Sequence, residues 1–233
     1  MASKPKGWPA EVVHISASMY HSSVPKEIVS QLRGSKRSKS VPPCALVRIR
    51  RIDEGGHPAK GESGLFATKK IPPNTFILFY LGEVHADARE GSNYDLSLFR
   101  TQEGLSIGVD AQTMGNEARF INDYRGVAAK PNAIFKEVRT EDGELRMGVW
   151  SATTEIKKGG EILVSYGKSW WKARADQAST SSPFSVFSVD NSGEVIPWSG
   201  RLIGVFCKQV TNSHQCDRRR VLRPQLARLR GHQ

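Results

Sequence analysis

Gly115-Asn116-Glu117-Ala118-Arg119-Phe120-Ile121-Asn122-Asp123-Tyr124-Arg125-Gly126, with Pro131-Asn132-Ala133 close behind, is the stretch on which the reading of this chain turns. Gly115–Ile121 predicts one short helical turn. Beyond it, two asparagines, Asn122 and Asn132, flank a loop. An asparagine amide carries donors and an acceptor together, so it either grips a ligand or caps a turn. Capping is the ordinary role of a single asparagine, and the surrounding segments decide between the two.

On the carboxyl side lies Gly160-Glu161-Ile162-Leu163-Val164-Ser165-Tyr166-Gly167-Lys168-Ser169-Trp170-Trp171, an apolar strand that ends on a tyrosine and then aromatics. On the amino side lies Gly61-Glu62-Ser63-Gly64-Leu65-Phe66-Ala67, a small-residue loop entering a strand, where glycine lets a ligand approach the backbone. Between them, β-branched and aromatic runs alternate with Gly, Pro and Asn turns. The strands expected are 46–52, 76–80, 105–109, 132–138, 145–152 and 161–166, with Asp142-Gly143 as a hairpin turn. Many short strands and little helix predict a mostly β fold of small sheets. Residues 67–82 also align without gaps on residues 152–167, and each copy delivers a tyrosine, Tyr80 or Tyr166, within two residues of its closing glycine.

Taken in order and spacing, these segments resemble the SET-domain lysine methyltransferases. The resemblance rests on Glu62–Ala67, Tyr80-Leu81-Gly82-Glu83, Asp110-Ala111 with Gly115–Asp123, Pro131-Asn132 and Glu161–Gly167, and covers residues 46–172. It implies small sheets around a knot-like crossing, the last strand passing through the loop before Pro131-Asn132. It implies S-adenosylmethionine as methyl donor and a protein lysine, such as one in a histone tail, as acceptor. Tyr166 would be the catalytic tyrosine and Tyr80 would line the lysine channel. The backbone at Gly64 and Leu65 would line the methionine end of the donor. Tyr94, Arg119, Asn122 by its side chain, Asp123 by its backbone, and Trp170 or Trp171 would complete the donor site. Three positions depart from the family pattern: Glu62 stands for a glycine, Asp123 for a histidine and Ser165 for an aspartate. Cysteine-rich flanks typical of many members are missing, which leaves closure of the channel to Trp170, Trp171 and the tail, or to a partner.

Those residue types suit methyl transfer. A free lysine has a pKa of ~10.4 and must shed its proton before attacking. A narrow channel walled by tyrosines desolvates the ammonium and favours the neutral amine.

Charge divides the chain into three. Residues 46–172 hold 18 basic against 17 acidic side chains, whereas residues 1–45 hold 7 against 2 and residues 173–233 hold 9 against 4. The expectation is a basic amino-terminal flank over 1–44, a catalytic domain over 45–172 and a poorly patterned basic tail over 173–233. On that division residues 1–39 are dispensable for catalysis, and the ends are candidates for DNA contact. The run Arg33-Gly34-Ser35-Lys36-Arg37-Ser38-Lys39 resembles a nuclear localisation signal. No apolar run approaches the ~20 residues of a membrane span, and Cys44, Cys207 and Cys216 are too scattered for a zinc site. Two other functions fit less of the pattern. One is a catalytically weak SET module that binds donor or partner as a scaffold. The other is a small basic nucleic-acid-binding protein, against which the near-neutral middle argues.

Overall fold

Hairpins build this fold because most strands find a partner nearby in sequence. The computed structural model describes residues 4–34, 39–167, 170–171, 188–189 and 195–196. The strands are β1 (Val13–His14), β2 (Met19–Tyr20), β3 (Val47–Arg51), β4 (Ser63–Ala67), β5 (Phe76–Tyr80), β6 (Glu83–His85), β7 (Asp95–Arg100) and β8 (Ser106–Asp110). They continue as β9 (Met114–Gly115), β10 (Asn122–Asp123), β11 (Ala133–Arg139), β12 (Leu145–Ser151) and β13 (Leu163–Val164). A helix, α1 (Lys26–Arg33), follows β2, and the turn predicted after Gly115 is the 3-10 helix Glu117–Phe120. Small sheets in the orders β3-β4, β11-β12-β5 and β2-β6-β8-β7 enclose a core that includes the fully buried Leu65, Ile107, Val149 and Ile162.

The β11–β12 hairpin pairs Ala133 with Ser151 through Arg139 with Leu145, and Gly143 makes its turn at φ 87°. The internal repeat is structural as well. Ile71 and Ile156 hold equivalent places in the two copies, and they pair with each other through reciprocal bonds of 2.8 and 2.9 Å.

Strand β13 lies between the two limbs of the 122–132 loop. On one side it runs parallel to β10, pairing Asn122 with Leu163 and Asp123 with Val164. On the other, the Asn132 N–H donates to the Leu163 carbonyl at 3.0 Å, and Asn132 Oδ1 accepts the Leu163 N–H at 2.8 Å. This is the knot-like crossing the sequence predicts. Asn132 is thus spent on the backbone, the capping role.

Residues 1–44, expected as an irregular basic flank, contribute elements to this frame. β1 runs parallel to β9 and β2 runs parallel to β6. Val12, Val24 and Leu32 are buried, and the Trp8 ring meets Phe120 edge-on at 5.5 Å. Two-residue strands leave no periodicity to read, because their pairing is set by a distant edge rather than by local alternation. In the carboxyl tail, expected to be poorly patterned, Ser188–Val189 pairs antiparallel with Val195–Ile196. Residues 35–38 of the basic run 33–39, and residues 197–233 with Cys207 and Cys216, lie outside the described residues. No helix among the described residues is long and apolar enough to cross a membrane.

Candidate active site

Two strand ends from different sheets present phenols to one cavity. Tyr80 closes β5. It is 5% exposed, and it donates its O–H to the Tyr94 carbonyl at 2.7 Å. Tyr166 follows β13 and donates its O–H to the Ile121 carbonyl at 2.7 Å. Phe135 stands edge-on to Tyr80 at 5.8 Å, and Trp170 edge-on to Tyr166 at 4.9 Å. These rings, with Tyr94 and Arg119, line a cavity of about 260 Å³. Burial pushes the Tyr80 phenol well above its ordinary pKa, and the neighbouring Tyr166 adds to the rise while Arg119 opposes it. Tyr80 therefore stays a neutral hydrogen-bond donor and does not act as a base near neutrality.

A second cavity of about 350 Å³ shares Tyr94 and Arg119 with the first and is lined further by Glu11, Arg51, Glu62 and Ser63. Arg119 is only 7% exposed. Its Nε donates to the Ala111 carbonyl at 2.9 Å, and its guanidinium lies 4.2 Å from the Tyr94 ring centroid. Among the described residues no carboxylate pairs with it. A buried guanidinium held by carbonyls and by the side chains of Tyr94 and Phe120 still favours an anion.

Beside these cavities, Asn122 and Asp123 work through their side chains. Asn122 Nδ2 donates to Glu161 Oε1 at 2.8 Å and reaches the Ser63 carbonyl at 3.5 Å. The Asp123 carboxylate accepts the Tyr166 N–H at 2.8 Å, the Trp171 indole N–H at 3.2 Å and the Arg125 guanidinium at 2.8 Å.

Of the residues expected at the site, Tyr80, Tyr94, Arg119, Tyr166 and Trp170 come together around the first cavity. Gly64 and Leu65 sit on β4, where Leu65 is fully buried and its carbonyl accepts the Ile162 N–H at 2.8 Å. In that segment it is Gly61, Glu62 and Ser63 that line the second cavity. Asp123, expected to offer backbone, contributes its carboxylate. Three residues were given no role from the sequence: Glu11 lines the second cavity, while Glu161 accepts the Asn122 amide from behind and His57 pairs with Glu161. Glu161 was legible as part of the last motif, whereas a lone histidine in a glycine-rich loop carries no signal of its own.

The SET-domain family model matches residues 62–167. The chain carries a SET domain. It is similar to histone-lysine N-methyltransferase EHMT1 of Homo sapiens, 31% identical over 114 residues that make up 46% of this chain and 8% of that protein. It is 38% identical over 115 residues to histone-lysine N-methyltransferase set-2 of Caenorhabditis elegans, covering 44% of this chain and 7% of that one. Human inactive histone-lysine N-methyltransferase 2E is 34% identical over 120 residues, 47% of this chain and 6% of that protein. The chain thus spans less than a tenth of the length of these relatives. A crystal structure of ATXR5 in complex with histone H3.1 superimposes with a TM-score of 0.48 at 18% identity, over 68% of this chain and 82% of that one. In this SET domain both tyrosines of the internal repeat and the buried arginine of the central motif face one pair of adjoining cavities.

Proposed function

We propose that this chain is an S-adenosylmethionine-dependent protein-lysine N-methyltransferase that acts on a histone tail in the nucleus. The observation that supports this most is the adjacency of a tyrosine-walled channel and a polar cavity, joined at Arg119 and Tyr94. The polar cavity suits the amino-acid end of the donor. Among the described residues buried Arg119 has no carboxylate ion-pair partner, and Glu11 and Glu62 offer the opposite charge for an ammonium. Bound there, S-adenosylmethionine supplies an electrophilic sulfonium methyl group. Arg119 and Tyr94 hold its carboxylate end, and the Asn122 amide meets a second polar group.

The channel residues prepare the acceptor. Tyr80, Phe135 and Tyr166 replace water around the lysine side chain, which disfavours the ammonium and favours the neutral amine. The Tyr166 hydroxyl and the Ile121 carbonyl then orient that amine, so positioning supplies most of the rate. Among the described residues that line the channel there is no histidine, lysine or cysteine to take the proton, and the lysine proton leaves to solvent.

The test is to incubate the chain with deuterated donor and histone-tail peptides and to read the mass of each lysine. Labelled methyl groups on lysine, reduced in Tyr166→Phe, support the reading, and donor binding without any transfer overturns it. That second outcome is the donor-binding scaffold, a reading favoured by similarity to a relative named inactive. The basic tail over residues 173–233 is the part proposed to contact DNA. Its removal should flatten the salt dependence of nucleosome binding.

A further inference from the structure

Two lysine pairs flank the isoleucines that the internal repeat makes equivalent. Lys69-Lys70 precedes Ile71, whereas Lys157-Lys158 follows Ile156. The two isoleucines pair antiparallel through their reciprocal bonds. Antiparallel pairing reverses one copy against the other, so the leading lysines of the first lie beside the trailing lysines of the second. The register is fixed from the other end as well. Phe66 bridges Glu161, the Ala67 N–H donates to the Gly160 carbonyl at 2.8 Å, and the Ala67 carbonyl accepts the Gly159 N–H at 2.8 Å. Between these fixed points stand Thr68-Lys69-Lys70 on one side and Lys157-Lys158-Gly159 on the other.

All four lysines are exposed. Like charges set opposite each other on paired segments repel. Glu155 relieves part of this: it accepts Lys70 Nζ at 2.6 Å. The bond from Lys70, and then the charges of Lys70 and Lys157, hold its carboxyl below the ordinary value, so both sides of the patch reach the same carboxylate. Glu161, next along, is turned inward to His57 and Asn122, with 8% of its side chain exposed. Among the described residues no other carboxylate pairs with the four lysines, which leaves three positive charges in excess. The near-neutral count over residues 46–172 averages this patch away.

We infer that Lys69, Lys70, Lys157 and Lys158 form a docking surface for the phosphate backbone of duplex DNA, a contact made by the folded domain itself and separate from the basic tail. The chemistry of the patch favours phosphate over a protein partner. The isoleucines between the lysines are buried, at 1% and 2% exposure, so the surface offers no apolar anchor. Protein interfaces are built on such anchors and are depleted in lysine. Phosphate contacts need only point charges of the right sign. No aromatic ring stands among the four lysines for bases to stack on, which favours a duplex over a single strand. Phosphates set between the two pairs would also quench their mutual repulsion, and the contact carries no sequence preference.

Fluorescence-anisotropy titration of the full chain with a short duplex DNA of mixed sequence, at several salt concentrations, tests this. The variant with Lys69→Gln, Lys70→Gln, Lys157→Gln and Lys158→Gln should bind at least about tenfold more weakly at low salt, and its plot of log affinity against log salt should be shallower by about 2–4. A control with the same change of charge at other exposed lysines, Lys26→Gln, Lys60→Gln, Lys130→Gln and Lys136→Gln, should lose less than about threefold. Glu155→Gln should tighten binding, because it removes the carboxylate that competes with phosphate. The melting temperature of the patch variant should be no lower than that of the wild type, which separates lost contact from lost fold. Equal losses in patch and control variants, or no binding by the wild-type chain, would overturn the assignment. Polyglutamate bound as tightly as DNA, with the same loss in the patch variant, would also overturn it and give the surface to an acidic protein.

Discussion

The carboxylate of Asp123 accepts the backbone N–H of Tyr166 at 2.8 Å, across 43 residues of sequence. The same oxygen holds the Trp171 indole and Arg125, while Asp123 Oδ1 takes the Arg125 N–H at 2.9 Å. The tyrosine is thus placed relative to β10 by a side chain, not by the strand ladder alone. Asp123→Ala should strip a partner from four donor groups on three residues and lower stability by about 1–3 kcal/mol, with a larger proportional loss of turnover. Asp123→Asn keeps an acceptor oxygen and should lose less. Urea unfolding of the two variants beside their methylation rates checks the order.

Tyr166→Phe removes a hydroxyl that donates to the Ile121 carbonyl at 2.7 Å. Turnover should fall at least tenfold, at roughly 1.4 kcal/mol or more of transition-state stabilisation, with donor affinity unchanged within about twofold. Single-turnover rates and donor titration separate the two effects. A loss seen in affinity alone would assign the hydroxyl to donor binding.

Arg119→Met keeps the length of the side chain and deletes its charge. The cost to the free protein should be small, about 1–2 kcal/mol, because a desolvated cation is removed along with its bonds to carbonyls. Donor affinity should fall at least tenfold, the loss of a charge-assisted bond to a carboxylate. Thermal melts with and without S-adenosylhomocysteine read both quantities. In the variant the ligand-induced rise in melting temperature should nearly vanish.

Burial holds the phenols of Tyr20, Tyr80 and Tyr94 above the ordinary tyrosine value, and the Glu144 carboxylate adds to the rise at Tyr20. In the unfolded chain they titrate near pH ~10. A raised folded value means that the stability from these neutral phenols is complete below about pH 10 and is lost as pH climbs, because the unfolded chain releases its protons first. The urea midpoint should therefore fall above about pH 10. Turnover should rise up to that limit, since a lysine amine of pKa ~10.4 must be neutral to react. Rates and unfolding midpoints across alkaline pH test both. A flat rate profile would remove amine deprotonation from the mechanism.

How much of this was legible in sequence depends on how local each signal is. β5, β11 and β12 were readable because each is a run of five to seven residues with its own alternation and turn. Tyr80 and Tyr166 were readable because a repeat places each within two residues of a glycine. The His57–Glu161–Asn122 relay was not, since its members lie 104 and 39 residues apart and meet only after the crossing forms. The same holds for the Asp123 carboxylate: sequence shows an aspartate after an asparagine, but not that an exit strand will come back to it. The positions of Gly64 and Leu65 were legible as a motif, whereas which of their neighbours faces a cavity depends on strand twist and on Glu161.

The amino-terminal segment carries the last prediction. Composition marks residues 1–39 as removable, and the structure gives them work. Val12, Val24 and Leu32 are 5%, 4% and 1% exposed, and burying each contributes about 1.5–3 kcal/mol. The Tyr20 hydroxyl donates to Glu144 at 3.3 Å, and Arg139 donates to the Gln31 carbonyl at 3.2 Å. Glu11 and Val12 also line the polar cavity. Summed, the buried side chains match much of the ~5–15 kcal/mol by which a domain of this size is stable. A chain beginning at Ser40 should therefore lose its cooperative unfolding transition, and peptide methylation should go with it. A point variant separates packing from the cavity wall. Leu32→Ala should cost about 2–4 kcal/mol of stability while leaving donor affinity within about twofold, because Leu32 touches neither cavity. Glu11→Gln should do the reverse, lowering donor affinity severalfold with little change in stability, because Glu11 is exposed apart from the cavity it lines. Circular-dichroism melts and donor titrations on the three proteins read these outcomes. Full peptide methylation by a chain beginning at Ser40 would show that β1, β2 and α1 dock on a domain that stands without them.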